Sequence, residues 1–173
     1  MRLILLRHAK AEKAEPGEED RQRRLNERGR DDARTIGAYL ARHQLIPDLI
    51  LASPALRTRE TAERIVRELP SAPPATYEAR LYNAGAQMLV SVMRETKSAV
   101  GTLLVVGHNP GLHELARLLI ASGDVEAREL LAEALPTAGL VVIDFAGKDW
   151  RKLHPHGGRL ERFVTPRSLV RSS

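Results

Sequence analysis

Four runs of apolar residues stand out along the chain: residues 3–6 (LILL), 49–52 (LILA), 101–106 (GTLLVV) and 140–145 (LVVIDF). Runs this short and this apolar read as strands buried on both faces of a sheet. Between them the apolar positions recur at helical spacing. Ala33, Ile36, Gly37 and Leu40 mark a helix over 26–43, and Met88, Leu89, Val92 and Met93 mark another over 84–96. Leu115, Leu118, Leu119 and Ile120 predict a helix over 112–122, and a further one runs from 126 to 135, stopping at Pro136. Ser53-Pro54 reads as a helix start, with Ser as the cap and Pro in the first turn, and that helix runs to Leu69 before Pro70. Residues 11–24 have no apolar face and contain Pro16-Gly17, so they form a loop. Residues 71–75 are a connector and 76–79 a short strand. Gly147-Lys148-Asp149 is a turn that leads into 150–153 as hairpin partner of 140–145. No internal repeat or low-complexity segment interrupts the pattern.

Strands alternating with helices specify an α/β protein, a three-layer α/β/α sandwich with a mostly parallel central sheet. The final hairpin adds antiparallel character at one edge. In such sheets the functional site lies beyond the carboxyl ends of the strands. Three polar groups occupy those positions here: Arg7-His8, Ser53-Pro54 with Arg57, and His108-Asn109. They are expected to converge.

Composition narrows the chemistry. The 173 residues fit one domain spanning 1–173. The absence of cysteine excludes thiol catalysis, Cys-ligated zinc, iron–sulfur clusters and disulfides. Only six aromatic residues are present, too few for a platform that stacks bases. The net charge of +5 resides in residues 148–173, because residues 1–147 hold 20 basic and 20 acidic side chains. The last of these, about 165–173, read as a solvated basic tail rather than a nucleic-acid contact. No apolar run is long enough to span a membrane and the first is too short for a secretion signal, so the expected location is cytoplasmic. Neither GxxxxGK[ST] nor GxGxxG occurs, so no nucleotide cradle is indicated.

Two histidines and two arginines meeting at strand ends suggest anion chemistry. Arginine presents a planar, permanently charged fork that fits phosphate oxygens. A neutral histidine is a competent nucleophile. Phosphoryl transfer asks for little beyond positioning and charge neutralisation. His154-Pro155-His156 reads as a turn rather than a chelating pair, and no metal or other cofactor is expected.

These residues also carry a resemblance. Leu6-Arg7-His8-Ala9-Lys10 resembles the RHG signature of the histidine phosphatase superfamily, with Ala9 in place of its glycine. The stretch from Ser53 to Thr61, SPALRTRET, resembles its SPxxRxxxT element, and VGHNPG at 106–111 its second histidine element. The stretches DRQRRLNERG at 20–29 and LPTAG at 135–139, with the short length, point to the SixA-type phosphohistidine phosphatases.

The resemblance implies a phosphoglycerate-mutase-like fold and a metal-independent phosphatase. In that reading His8 is the nucleophile, Arg7 and Arg57 hold the phosphoryl oxygens, and His108 donates a hydrogen bond to the same group. Arg23 is a further basic contact, although Arg24 stands where the family's proline usually follows. The implied partners are phosphate and a phosphohistidine-bearing protein of the phosphorelay or phosphotransferase kind. Mutase- and phosphatase-type relatives carry a proton-donating glutamate in an L-x-E stretch, and the matching position here is Asn83. Amide nitrogen cannot replace a carboxylic acid, and imidazole leaves more readily than an alkoxide, so a P–N bond is the better match. Glu12 and Glu78 are the rival acids. Two other classes stay open: a general small-molecule phosphomonoesterase, and a non-enzymatic module that binds phosphorylated or nucleic-acid ligands.

Overall fold

The protein was examined as a computed structural model that describes residues 1–172. Seven strands form one sheet: β1 (Arg2–Arg7), β2 (Leu49–Ala52), β3 (Thr76–Tyr77), β4 (Thr102–Gly107), β5 (Ile120–Gly123), β6 (Leu140–Phe145) and β7 (Gly158–Val164). The order across the sheet is β3-β2-β4-β1-β6-β7-β5. Only β6 runs against the others, pairing antiparallel with β1 on one side and β7 on the other.

The strands are apolar throughout because both faces are covered. Leu3, Leu5, Leu103, Val105, Val141 and Ile143 point to one core, under helices α3 (Ala86–Met93), α4 (Gly111–Leu119) and α5 (Val125–Glu133). Ile4, Leu6, Leu104, Val106, Leu140 and Val142 point to the other, under α1 (Glu27–Arg42) and α2 (Leu56–Glu68). Alternate side chains of each strand thus enter opposite layers, the period-two rule of an extended chain. The result is the expected three-layer sandwich.

Several boundaries differ from the sequence expectation, each for a physical reason. The apolar stripe of α4 continues through Ile120, yet the helix stops at Leu119 and Ile120 begins edge strand β5, which pairs parallel with β7. Trp150 and Leu153 are buried, but on a single 3₁₀ turn (Trp150–Lys152), not on a strand. The hairpin partner of β6 is β7, and β6 is an interior strand rather than an edge. The short strand expected over 76–79 is limited to Thr76–Tyr77, followed by a 3₁₀ turn (Ala79–Leu81). Ser53 is not the cap of α2, whose N-cap is Ala55. Residues 166–171 of the expected tail form a final helix, α6 (Pro166–Arg171), opened by a Thr165/Ser168 capping box. Ser173 lies outside the described residues.

Two glycines hold the loops around the strand ends. Gly29, in the first turn of α1, faces the Lys10 carbonyl so closely that a Cβ there would lie 2.0 Å from its oxygen. The same carbonyl accepts the Asn26 N–H, while the Asn26 side chain caps α1 through Gly29 N–H. The LNERG stretch therefore clamps the loop that follows β1. Gly111 does the same where α4 begins: a Cβ would lie 1.8 Å from the Ala84 carbonyl oxygen. Gly111→Ala is expected to destabilise the protein by about 1–3 kcal/mol through overpacking. A fall in the urea midpoint at unchanged slope checks it; an unchanged midpoint would show that the α4 start yields freely.

Candidate active site

Strand register brings the polar groups together. Arg7 of β1 stands opposite Gly107 of β4, and Ala52 of β2 opposite Val106. The ladder continues one residue further, with His8 N–H donating to Gly107 O at 3.0 Å and Ser53 N–H to Val106 O at 3.1 Å. His8, Ser53 and His108 thus share one rim, and the two imidazole centroids are 5.4 Å apart. Because β6 runs the other way, the loop before it reaches the same rim. Ala138 N–H donates to the Arg7 and His8 carbonyls, and Arg7 N–H to Gly139 O.

The rim opens into a cleft of about 250 Å³, lined among others by Arg7, His8, Arg23, Arg57, Asn83 and His108. All five residues singled out for phosphoryl chemistry (Arg7, His8, Arg23, Arg57 and His108) meet there. A larger cleft, about 730 Å³, lies between α1 and α6 and contains none of them.

Each part of the SPALRTRET stretch has a job in this geometry. The Ser53 hydroxyl lies 2.7 Å from His108 Nε2. Arg57 stands on the first turn of α2. Thr58 Oγ1 donates to the Ser53 carbonyl, and Thr61 Oγ1 donates to the Arg57 carbonyl while accepting the Ala9 N–H. Thr58 therefore ties the turn carrying Arg57 to Ser53, and Thr61 ties it to the loop carrying His8.

His8 is buried, and its Nδ1 lies 2.8 Å from the Ala9 carbonyl oxygen. A carbonyl only accepts, so Nδ1 carries the proton and neutral His8 keeps its lone pair on Nε2. Burial lowers the His8 pKa to about 4; the Ala9 hydrogen bond opposes this, while the charges of Arg57, Arg7 and Arg23 reinforce it. The ring is uncharged at neutral pH, with its basic nitrogen free. His108 is lowered to about 3, again by burial first and then by Arg57 and His8. Ser53 Oγ accepts the Ala55 N–H, and with its own hydrogen donated to His108 Nε2 the His108 proton lies on Nδ1. That atom has no hydrogen-bond partner among the described residues.

Further donors are unsatisfied in the same way. Arg7 donates through Nη1 to the Leu135 carbonyl and Arg57 through both Nη atoms to Asp20, but neither Nε–H has a partner among the described residues. Leaving a buried donor unpaired costs about 1–3 kcal/mol. Several such donors in one cationic cleft describe a place made for an anion.

Sequence reasoning missed Asp20, Tyr82 and the role of Ser53. The Asp20 carboxylate receives Tyr82 Oη at 2.5 Å, Arg57 Nη2 at 3.0 Å and Arg23 Nη1 at 3.1 Å. The tyrosine hydrogen bond, followed by those from Arg23 and Arg57, holds this carboxyl well below the usual range, so it stays ionised and cannot act as a proton donor. The rival acids are placed elsewhere: Glu12 pairs with Arg24, and Glu78 with Arg80. Neither lines the cleft, whereas Asn83 does.

The chain is similar to several known proteins. Residues 3–88 match the family model of the histidine phosphatase superfamily (branch 1). An uncharacterised protein of Mycobacterium tuberculosis is 34% identical over 164 residues, which is 94% of this chain and 100% of the relative. A crystal structure assigned as the phosphohistidine phosphatase SixA of Agrobacterium tumefaciens is 33% identical, with a TM-score of 0.80 over 95% of this chain and 97% of that one. The protein histidine phosphatase SixA complexed with tungstate, 20% identical, shares the fold with a TM-score of 0.78 over 98% of this chain and 99% of that one.

The site has a direct titration test. In ligand-free protein the His8 ring is expected to remain the Nδ1–H tautomer down to about pH 5 and to titrate near 4, as read by ¹⁵N NMR of the imidazoles. A midpoint near the ordinary 6.5 would contradict the burial described above. Because the folded values of His8 and His108 lie below the unfolded one, their contribution to stability is full above pH 6.5 and declines as the pH falls from there through 4 to about 3. Register, motifs and whole-chain similarity converge on one conclusion: the chain belongs to the histidine phosphatase superfamily and has the fold of its SixA-type members.

Proposed function

We propose that the protein hydrolyses phosphohistidine on a partner protein, passing the phosphoryl group through His8. The observation that carries this reading is a nucleophile without a proton donor. His8 presents an unprotonated Nε2, while Asn83 lines the cleft where an acid would stand and Asp20, the carboxylate on its arginines among the described residues, is held ionised.

In the first step His8 Nε2 attacks phosphorus as the P–N bond of the substrate breaks. The departing imidazole takes one proton from solvent on its other ring nitrogen. Arg7, Arg57 and Arg23 neutralise the charge on the equatorial oxygens, and the Nδ1–H of His108 donates to one of them. In the second step water attacks phosphorus and phosphate leaves with the proton balance closed by solvent. His8 keeps its Nδ1 proton on the Ala9 carbonyl throughout, so it departs as neutral imidazole and needs no acid of its own. The guanidinium groups supply the charge stabilisation for which other phosphatases use a metal ion. The reading therefore includes metal-independent turnover. It also includes a role in phosphohistidine signalling or phosphotransfer, in the cytoplasm. The similarity at 33% identity to a chain assigned as a phosphohistidine phosphatase supports it.

A series of phosphate compounds tests the substrate. With EDTA present, kcat/KM is expected to be high for a histidine-phosphorylated protein and for activated aryl phosphates. Alkyl phosphates are expected to be slower by on the order of 10²–10⁴-fold, the usual worth of a general acid. Brisk alkyl-ester hydrolysis with no dependence on leaving-group pKa would replace this reading with that of a general phosphomonoesterase. Loss of activity in EDTA, restored by one divalent ion, would overturn metal independence.

A further inference from the structure

Arg57 is nearly enclosed, and only part of its guanidinium is committed. Its terminal edge is taken by one residue: Nη1 donates to the Asp20 backbone carbonyl at 2.9 Å and Nη2 to Asp20 Oδ2 at 3.0 Å. A guanidinium has five N–H bonds, and an end-on pair uses one from each Nη. The side edge, made by Nε–H and the second Nη2 hydrogen, is left over, and the Nε is buried without a partner. That edge has the spacing of a second bidentate contact. Asp20 and a phosphoryl group can therefore hold Arg57 at the same time, one at the end and one at the side.

Asp20 is itself fixed by more than Arg57. Its Oδ1 accepts from Arg23 Nη1 and its Oδ2 from Tyr82 Oη. The Tyr82 ring meets His108 edge-on at 5.5 Å, and the Arg21 guanidinium lies over it, 4.5 Å from the ring centroid. One carboxylate thus joins two arginines of the cleft to the ring that packs on the second histidine. It also sets the charge. Arg7, Lys10, Arg23 and Arg57 bring four positive charges and Asp20 subtracts one, leaving a positive balance that favours a phosphoryl dianion.

We propose that Asp20 is a positioning residue for phosphoryl transfer, orienting Arg57 and Arg23 so that the side edge of Arg57 faces the transferred group. The proposal rests on the phosphatase reading of this cleft but not on the P–N substrate. The rival role for a carboxylate on a catalytic arginine is a latch that imitates the substrate and must be displaced. The two make opposite predictions. A latch removed speeds turnover; a positioning residue removed slows it.

The experiment compares wild type with Asp20→Asn, Asp20→Glu and Tyr82→Phe, using an activated aryl phosphate for turnover and inorganic phosphate for binding. Asp20→Asn is expected to lower kcat on the order of 10- to 100-fold, the range for misaligned catalytic groups. Its Ki for phosphate is expected to stay within about threefold or to tighten, since ground-state binding gains from the extra positive charge. Asp20→Glu is expected to recover part of the loss. Tyr82→Phe, which keeps the ring and removes a single hydrogen bond, is expected to shift kcat a few-fold in the same direction. In wild type, the Arg57 Nε–H resonance is expected to shift on phosphate addition while the Asp20 contact persists.

Faster turnover in Asp20→Asn, or phosphate displacing Asp20 from Arg57, would overturn the proposal in favour of a latch. An equal loss of kcat and of phosphate binding, with no recovery in Asp20→Glu, would reduce Asp20 to a structural part. Wild type failing on the aryl phosphate while its Arg57 Nε–H still responds to phosphate would refute the phosphatase reading and leave the orientation of Arg57 intact.

Discussion

Everything at the site depends on two parallel pairings, β1 on β4 and β2 on β4, continuing one residue past their last regular rungs. The hydrogen bonds from His8 N–H to Gly107 O and from Ser53 N–H to Val106 O make three loops leave the sheet at one level. Parallel register admits no half-measures, since a slip of one residue would turn every side chain to the opposite layer. Here that register is locked on both faces by buried Leu, Ile and Val, so the apolar cores pay for the placement of the catalytic loops. The single reversed strand β6 completes the arrangement by bringing the backbone of Ala138 and Gly139 against Arg7 and His8.

Onto this rim the fold places several cations and only partly offsets them, through Asp20 on Arg57 and Arg23. Arg7 and Arg57 keep buried Nε–H groups without acceptors, and both histidines are driven to the neutral form. An anion bound to these groups would stabilise the fold. In the proposed reaction the same burial serves the chemistry: a neutral His8 with its proton pinned on a backbone carbonyl would be nucleophilic at Nε2 and leave as a neutral ring. Asp20 tempers the positive field without offering a proton. The division of labour is between arginines that hold charge, histidines that hold direction, and one ionised carboxylate that holds the arginines.

Much of this was legible in the chain. The doubly buried strands announce themselves as continuous apolar runs, and the residues directly after them, Arg7-His8, Ser53 with Arg57, and His108, are those that line the rim. What was not legible has physical causes. Ile120 continues the stripe of α4 in sequence, and only its pairing with β7 makes it a strand. Trp150 and Leu153 are apolar three apart, a spacing that suits a 3₁₀ turn as well as a strand end, while β7 hides behind the charged residues Arg159, Glu161 and Arg162. Asp20 sits in a segment crowded with Asp, Glu and Arg, where no periodicity distinguishes the carboxylate that meets Arg57 from those that meet water. Ser53 looked like a helix cap because Ser-Pro is a common start; its hydroxyl serves His108 instead.

The central claim is that His8 Nε2 accepts the phosphoryl group. Rapid quenching into alkali after brief exposure to labelled substrate, followed by peptide mapping, tests it most directly. The account predicts a phosphoenzyme that is stable in alkali and labile in acid, with the label on the peptide holding His8 and none in His8→Ala. Label on any other residue, or turnover by His8→Ala at the wild-type rate, would contradict it.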